Sequence, residues 1–258
     1  MNEMQIRPRP DELELAGLTH EQISSLAEQG AFFMDELVQY QELMMMYNCA
    51  IREVRTKLEV LNADLSVRYK RNPIEFLSYR IKKPASIIAK MERKGIPVSV
   101  ANIEANLNDI AGIRVICSFI DDIYAVAGML TQQDDITLIE TKDYIKNPKP
   151  NGYRSLHLIV EIPVFFSDRK KIMRVEIQIR TIAMDFWASV EHQLKYKKSI
   201  PNESEIVQEL TECADIISQT DRKMMELRDK IDAAEHTAPE GTVDSIMDKL
   251  AKFAIPTI

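Results

Sequence analysis

The run KIMRVEIQIRT, from Lys171 to Thr181, alternates with a period of two. On an extended strand Arg174, Glu176, Gln178 and Arg180 fall on one face, and Val175, Ile177 and Ile179 fall on the other. The second face is apolar enough to sit on a core; the first suits either a solvated sheet surface or a polar site. Working outward, IAGIRVICSF (110–119), ITLIETK (136–142) and SLHLIVEIPVFF (155–166) are also strand-like, and DDIYAVAGMLTQQ (121–133) reads as a helix between the first two. Strands interleaved with helices predict an α/β (α+β) fold, a mixed β-sheet flanked by helices.

The flanks carry a different period. From Ala31 to Tyr69 there is no Gly or Pro, and Phe33, Leu37, Tyr40, Met44, Tyr47, Ile51, Val54, Leu58 and Leu61 recur at helical spacing. One long amphipathic helix follows from that pattern. KKPASIIAKMERKG (82–95) predicts a shorter helix, with proline near its start and Gly95 at its stop. The chain becomes helical again from Thr181 to about residue 234, with AMDFWASVEHQLKYKK followed by a second long segment. The expected layout is an N-terminal arm over 1–30 with one short helix near THEQISSLAEQ (19–29), a long helix over 31–69, a core over 70–198, a C-terminal helical segment over 199–236 and a tail over 237–258.

The 258 residues, 45% hydrophobic and 28% charged, suffice for one full-sized domain with appendages. Cys49, Cys117 and Cys213 lack any CxxC spacing, and the N-terminus lacks the apolar stretch of a signal peptide, so a reduced, cytoplasmic protein with no membrane association is expected. The net charge of −7 conceals an asymmetry: Arg68 to Ser99 carries +7 and Lys142 to His157 carries +3, leaving −17 for the remainder. Positive charge concentrated in an acidic chain suits a small polyanion in a cleft better than a long nucleic acid, and RNA binding is not expected.

No GxxxxGKS, GxGxxG, HExxH or GxSxG motif is present, which excludes the usual phosphate-loop, dinucleotide, zinc-protease and serine-hydrolase classes. Two carboxylates stand out: Asp109, just before IAGIRVICSF, and Glu176 on the polar face of the opening strand. If they converge, they form the hard-oxygen pair that magnesium favours, with phosphates completing its coordination. Basic side chains at the cleft edge would then make a phosphoryl or pyrophosphoryl transfer site. Tyr153, after the Asn151-Gly152 turn, suits a base-stacking aromatic. A regulatory RNA-binding module or a nucleotidyltransferase with another acceptor could use the same basic windows. An RNA binder, however, has no use for two acids in a basic cleft.

The stretches YRIKKPASIIAK (79–90), DIAGIRVI (109–116), KDYIKNPKPNGYRSLH (142–157) and VEIQIRT (175–181) closely resemble the synthetase domain of the RelA/SpoT family. Members of that family move the β,γ-pyrophosphate of ATP onto the 3′-hydroxyl of GTP or GDP. The resemblance spans roughly Arg68 to Lys198. With no His-Asp dipeptide in the chain, it implies a small alarmone synthetase without the hydrolase, and SFIDDIY, PKPNGYRSLHL and RTIAMDFWASVEH look most like its RelP-type branch. It implies a fold resembling polymerase-β-like nucleotidyltransferases and a homotetramer. Carried onto this sequence, it implies Arg80 and Arg114 on the faces of adenine, with Lys82, Ser86 and Lys90 at the ATP phosphates. Lys142, Lys149 and Asn151 fall at acceptor positions, Tyr153 on guanine, and His157 and Gln178 near the acceptor sugar and phosphates. Asp109 and Glu176 fall at Mg2+, and Glu176 is also the base for the 3′-hydroxyl. At Asp185 the resemblance aligns an asparagine of product-activated relatives, which lies at a cleft between subunits. An acid there implies weak or absent activation by product, through like-charge repulsion.

Overall fold

The computed structural model describes residues 20–69, 71–195 and 203–237. Residues 1–19, 70, 196–202 and 238–258 lie outside the described residues. In chain order the elements are α1 (His20–Tyr69), β1 (Ile74–Ile81), α2 (Pro84–Arg93), α3 (Val100–Asn106), β2 (Ala111–Cys117), α4 (Ile120–Thr131), β3 (Thr137–Asp143), β4 (Leu156–Phe165), β5 (Lys170–Thr181), α5 (Ile182–Lys195) and α6 (Glu203–Thr237).

The sheet has five strands in the order β1-β2-β5-β4-β3. β2 and β5 run parallel at its centre, and every other pairing is antiparallel. The opening run is thus the central strand β5, and its alternation is real: Val175, Ile177 and Ile179 are buried, while Glu176 and Gln178 are only partly covered. The apolar residues of β2, β4 and β5 form one core with α1 and α4. In α1 the buried residues Tyr47, Ala50, Ile51, Val54 and Leu58 repeat every three or four residues, the spacing that keeps one helix face on the sheet.

Two elements are absent from the sequence expectation. IEFLSYRI becomes edge strand β1, paired antiparallel with β2. Its apolar residues do not alternate cleanly, and its register shifts between Ile74 and Phe76. The short α3 is started by Ser99, whose side chain accepts a hydrogen bond from the Asn102 amide. The long helix also begins earlier than expected, at His20 rather than Ala31. Gly30 lies inside it, and an exposed helical glycine costs only about 1 kcal/mol, which does not break so long a helix.

Leu58 is fully buried, so Leu58→Ala should cost about 2–5 kcal/mol in urea unfolding. Val60, two residues on, is 62% exposed, and Val60→Ala should stay within about 0.5 kcal/mol. Equal losses from the two variants would show that this face of α1 does not seat on the sheet.

Candidate active site

The face of the sheet opposite α1 carries the polar side chains, and register brings them into rows. Pairing sets Arg80 opposite Gly112 and Gly112 opposite Glu176. One row along, Ser78, Arg114, Gln178, His157 and Lys142 stand opposite one another across all five strands. The two positively charged windows of the sequence thus meet around Glu176.

On the β1–β2 side Ser78, Arg80, Gly112, Arg114 and Gln178 line an open cleft of about 200 Å³. A Cβ on Gly112 would sit 3.5 Å from the Arg80 Cγ, so the arginine stem lies across the glycine. Next to this cleft, Lys82 Nζ and Lys90 Nζ donate to the same oxygen of Asp109, Oδ2, at 3.0 and 2.7 Å. Burial pushes the Asp109 carboxyl up, but the two ammonium groups outweigh it and hold it below the ordinary range. Its other oxygen, Oδ1, is buried without a hydrogen-bond partner. A buried orphan acceptor on a charged carboxylate is the position a hard cation would fill, so the residues present fit magnesium. Ser86 is exposed in the first turn of α2, four residues before Lys90 and on the same helix face.

Glu176 is anchored from both sides. His157 Nδ1 lies 3.4 Å from its Oε1, and Gln178 Nε2 donates to Oε2 at 2.9 Å. Burial raises this carboxyl and the Asp109 charge adds to that, yet the bonds from His157 and Gln178 keep it below the usual glutamate value.

On the β3–β4 side the Asn-Gly turn carries the second cationic group. Lys149 Nζ sits 4.6 Å from the Tyr144 ring centroid and 4.9 Å from that of Tyr153, within cation–π range. Tyr144, Tyr153 and His157 meet edge-on, at centroid distances of 5.2 to 6.0 Å. Lys142 reaches Glu140 at 3.0 Å. Asn151 does not open into the cleft: its Nδ2 donates to Glu191 on α5, and its Oδ1 accepts the Tyr153 amide. The structure therefore gathers Asp109, Lys82, Lys90, Arg80, Arg114, Gln178, Glu176, His157 and Tyr153 on one face, with Lys142, Lys149 and Ser86 at its rim and Asn151 turned to a helix.

Two features, Tyr144 and Arg180, have no place in the sequence expectation, and a third, Asp185, has partners that it did not foresee. Tyr144 was inside the quoted turn but unremarked. Arg180 was on the polar face without a role, and it is 2% exposed. Asp185, aligned in the sequence with a position at a cleft between subunits, is half-buried within its own chain and holds two arginines. Its Oδ1 lies 3.3 Å from Arg114 Nη1 and 3.4 Å from Arg180 Nη1. Two adjoining guanidinium groups, one of them buried, need a counter-charge, and α5 supplies it.

Residues 79–201 match the family model for the region found in RelA/SpoT proteins. The chain is 42% identical to the GTP pyrophosphokinase YwaC of Bacillus subtilis, over 73% of its own length and 90% of that protein's. The chain belongs to the RelA/SpoT family. A second relative, the GTP pyrophosphokinase YjbM of the same organism, is 38% identical over 76% of this chain and 92% of its own. Among solved structures, small alarmone synthetase 1 from Bacillus subtilis bound to its product pppGpp aligns with a TM-score of 0.69 at 38% identity, covering 75% of this chain and 98% of that one. Small alarmone synthetase 2 from the same organism aligns at 0.67 and 42% identity, over 74% and 98%.

Helix α6 follows the part of this RelA/SpoT chain that the family model matches, yet it packs directly on the site. Arg154 on the turn donates to the Ala214 carbonyl at 3.2 Å and to Asp215 at 2.9 Å. Trp187 donates to the Leu210 carbonyl at 2.9 Å, and Thr181 bonds Asp221 at 2.5 Å. Gly152 makes this contact feasible: its φ is +86°, and a Cβ there would fall 2.5 Å from the Ala214 Cβ. Gly152→Ala should push the turn off α6, lower the melting temperature and shift the emission of Trp187, the single tryptophan, to the red. Adding Ala214→Gly should recover part of the loss, since it relieves the clash but not the backbone strain. Unchanged emission and stability in Gly152→Ala would refute the close approach.

Proposed function

We infer that the chain is a GTP pyrophosphokinase: it transfers the β,γ-pyrophosphate of ATP to the 3′-hydroxyl of GDP or GTP, giving AMP and ppGpp or pppGpp. The observation that carries this reading is the position of Glu176, set on the polar face between the Arg80–Arg114 cleft and the Tyr153 turn. A base between two nucleotide sites is what a transfer between nucleotides requires.

Arg80 and Arg114 hold adenine between their guanidinium planes, a role supported by their place on adjacent strands lining the cleft. Lys82, Lys90 and Ser86 hold the ATP phosphates. Lys142 and Lys149 neutralise the acceptor phosphates, Tyr153 takes guanine, and His157 and Gln178 lie by the acceptor sugar. Asn151 keeps the turn in shape for that contact. Asp109 and Glu176 would hold Mg2+, which when bound neutralises charge on the transferred phosphates. Glu176 accepts the proton of the 3′-hydroxyl; the freed oxygen bonds to the β-phosphorus of ATP, and the bond from that phosphorus to the α-phosphate oxygen breaks to release AMP. The low proton affinity of Glu176 keeps it in the accepting form at neutral pH.

Within the family the chain falls in the RelP-type branch, on the wording of its SFIDDIY and RTIAMDFWASVEH stretches. The reading includes a cytoplasmic location and a homotetramer. An exposed stripe on α5, Ile182, Phe186, Val190 and Leu194 at intervals of four, is the kind of face a second subunit covers. Among the described residues no helix is long and apolar enough to cross a membrane.

The test is incubation with ATP, GDP or GTP and magnesium, followed by separation of AMP and the 3′-pyrophosphorylated nucleotide. Glu176→Gln should reduce synthesis by at least about 10²–10⁴-fold, since it removes the base, while ATP binding partly survives. Tyr153→Ala should raise the KM for the guanosine acceptor far more than that for ATP, because a stacked base is worth about 1–3 kcal/mol. Near-normal turnover by Glu176→Gln, or a loss of ATP affinity as the main effect of Tyr153→Ala, would overturn the assignment.

A further inference from the structure

Arg180 neither lines the cleft nor reaches its rim, yet it is the most enclosed cation on the polar face. Its Nη2 lies 2.9 Å from the Tyr153 hydroxyl and 2.9 Å from Gln178 Oε1. From there two arms lead to the same carboxylate. Tyr153 Oη is 2.8 Å from His157 Nε2, and His157 Nδ1 is 3.4 Å from Glu176 Oε1. Gln178 Nε2 is 2.9 Å from Glu176 Oε2. Arg180, Tyr153, His157, Glu176 and Gln178 close a ring of four hydrogen bonds and one longer polar contact, the 3.4 Å approach of His157 to Glu176.

With His157 neutral, one direction satisfies every member of the ring. A guanidinium donates and cannot accept, and an ionised carboxylate accepts and cannot donate. Because Arg180 donates to it, the Tyr153 oxygen accepts, which leaves its own proton available to His157 Nε2. A neutral His157 must then carry its proton on Nδ1, which points at Glu176. In the second arm Arg180 takes the Gln178 carbonyl, so the Gln178 amide nitrogen faces Glu176. Both arms therefore deliver a donor to Glu176, one to each oxygen. A reversed Gln178 amide would set its carbonyl against the carboxylate, and the other imidazole tautomer would set a lone pair there.

We propose that Arg180 is a positioning residue: it polarises this ring, selects the Nδ1–H tautomer of His157 and fixes the Gln178 amide, so that Glu176 is held with its oxygens presented to the acceptor hydroxyl. This rests on the reading of Glu176 as the base, but the ring's direction does not. Asp185, shared with Arg114, supplies the counter-charge that lets a guanidinium stay buried there. Lysine could not replace it, because an ammonium lacks the planar fork that meets two acceptors while facing a third.

The test uses the full chain labelled with [15N]histidine, which contains only four histidines. The spectrum is recorded at a pH about two units above the ordinary imidazole value of ~6.5, and His157 is assigned by difference from His157→Gln. Wild type should show His157 with a protonated Nδ1 and a bare Nε2, the opposite of the preference of free imidazole side chains in water. In Arg180→Lys that signature should collapse to a mixture or reverse, and kcat should fall about 10–100-fold with the KM for ATP nearly unchanged. If burial makes Arg180→Lys fail to fold, Tyr153→Phe opens the same arm while keeping the ring. It should lose the Nδ1–H signature and lower kcat with little change in the KM for the guanosine acceptor. A wild-type His157 protonated on Nε2 overturns the proposal, as does an unaltered tautomer and kcat in whichever variant folds. If wild type makes no 3′-pyrophosphorylated nucleotide at all, the functional reading fails, while the tautomer spectra still decide the ring.

Discussion

The parallel pairing of β2 with β5 is the constraint on which the site depends. It sets Gly112 beside Glu176 and Arg114 beside Gln178, and it joins the β1–β2 half of the sheet to the β3–β4 hairpin. Antiparallel neighbours can be joined by a tight turn, but a parallel pair needs a long crossover. Here the connection holds α4, β3 and β4, and β3–β4 returns on the far side of β5. The two basic windows, more than forty residues apart in sequence, become neighbours only because β2 and β5 share this seam.

Electrostatics decides how the face is finished. Asp109 takes two ammonium groups on one oxygen, Glu176 lies against His157 and Gln178, and Asp185 lies between two guanidinium groups. Each acid is partly buried, and a half-buried charge without partners would be costly. Glu176 is treated differently from the other two: it has no lysine or arginine within bonding distance among the described residues.

Helix α6 extends the active-site construction beyond the region shared with the family model. Gly152, Arg154 and Thr181 each meet a residue of that helix, so the geometry of the Tyr153 turn is set by packing from the C-terminal side. The cluster of Trp187, Leu210 and Ala214, with Tyr153 and Ile217 against it, is a second small core whose function is to seat the turn.

Much of this was legible in the sequence, because it depends on local period or on residue type at a turn. The alternation of Lys171 to Thr181 set the faces of β5, the Asn151-Gly152 pair set the turn, and the spacing from Tyr47 to Leu58 set the buried face of α1. The motifs around Asp109 and Glu176 pointed to the family, and the fold agrees. What tertiary structure alone decided depends on contacts distant in sequence. β1 became a strand because the exposed edge of β2 offered it backbone partners, not because its own pattern demanded one. Asp185 became an internal counter-ion because α5 folds back over the sheet, and Arg180 meets Tyr153 and Gln178 because the turn before β4 lies against β5. A sequence states which residues can donate, accept or carry charge; which of them meet is set by strand order and helix packing, and the free energy of a buried polar group depends on that meeting.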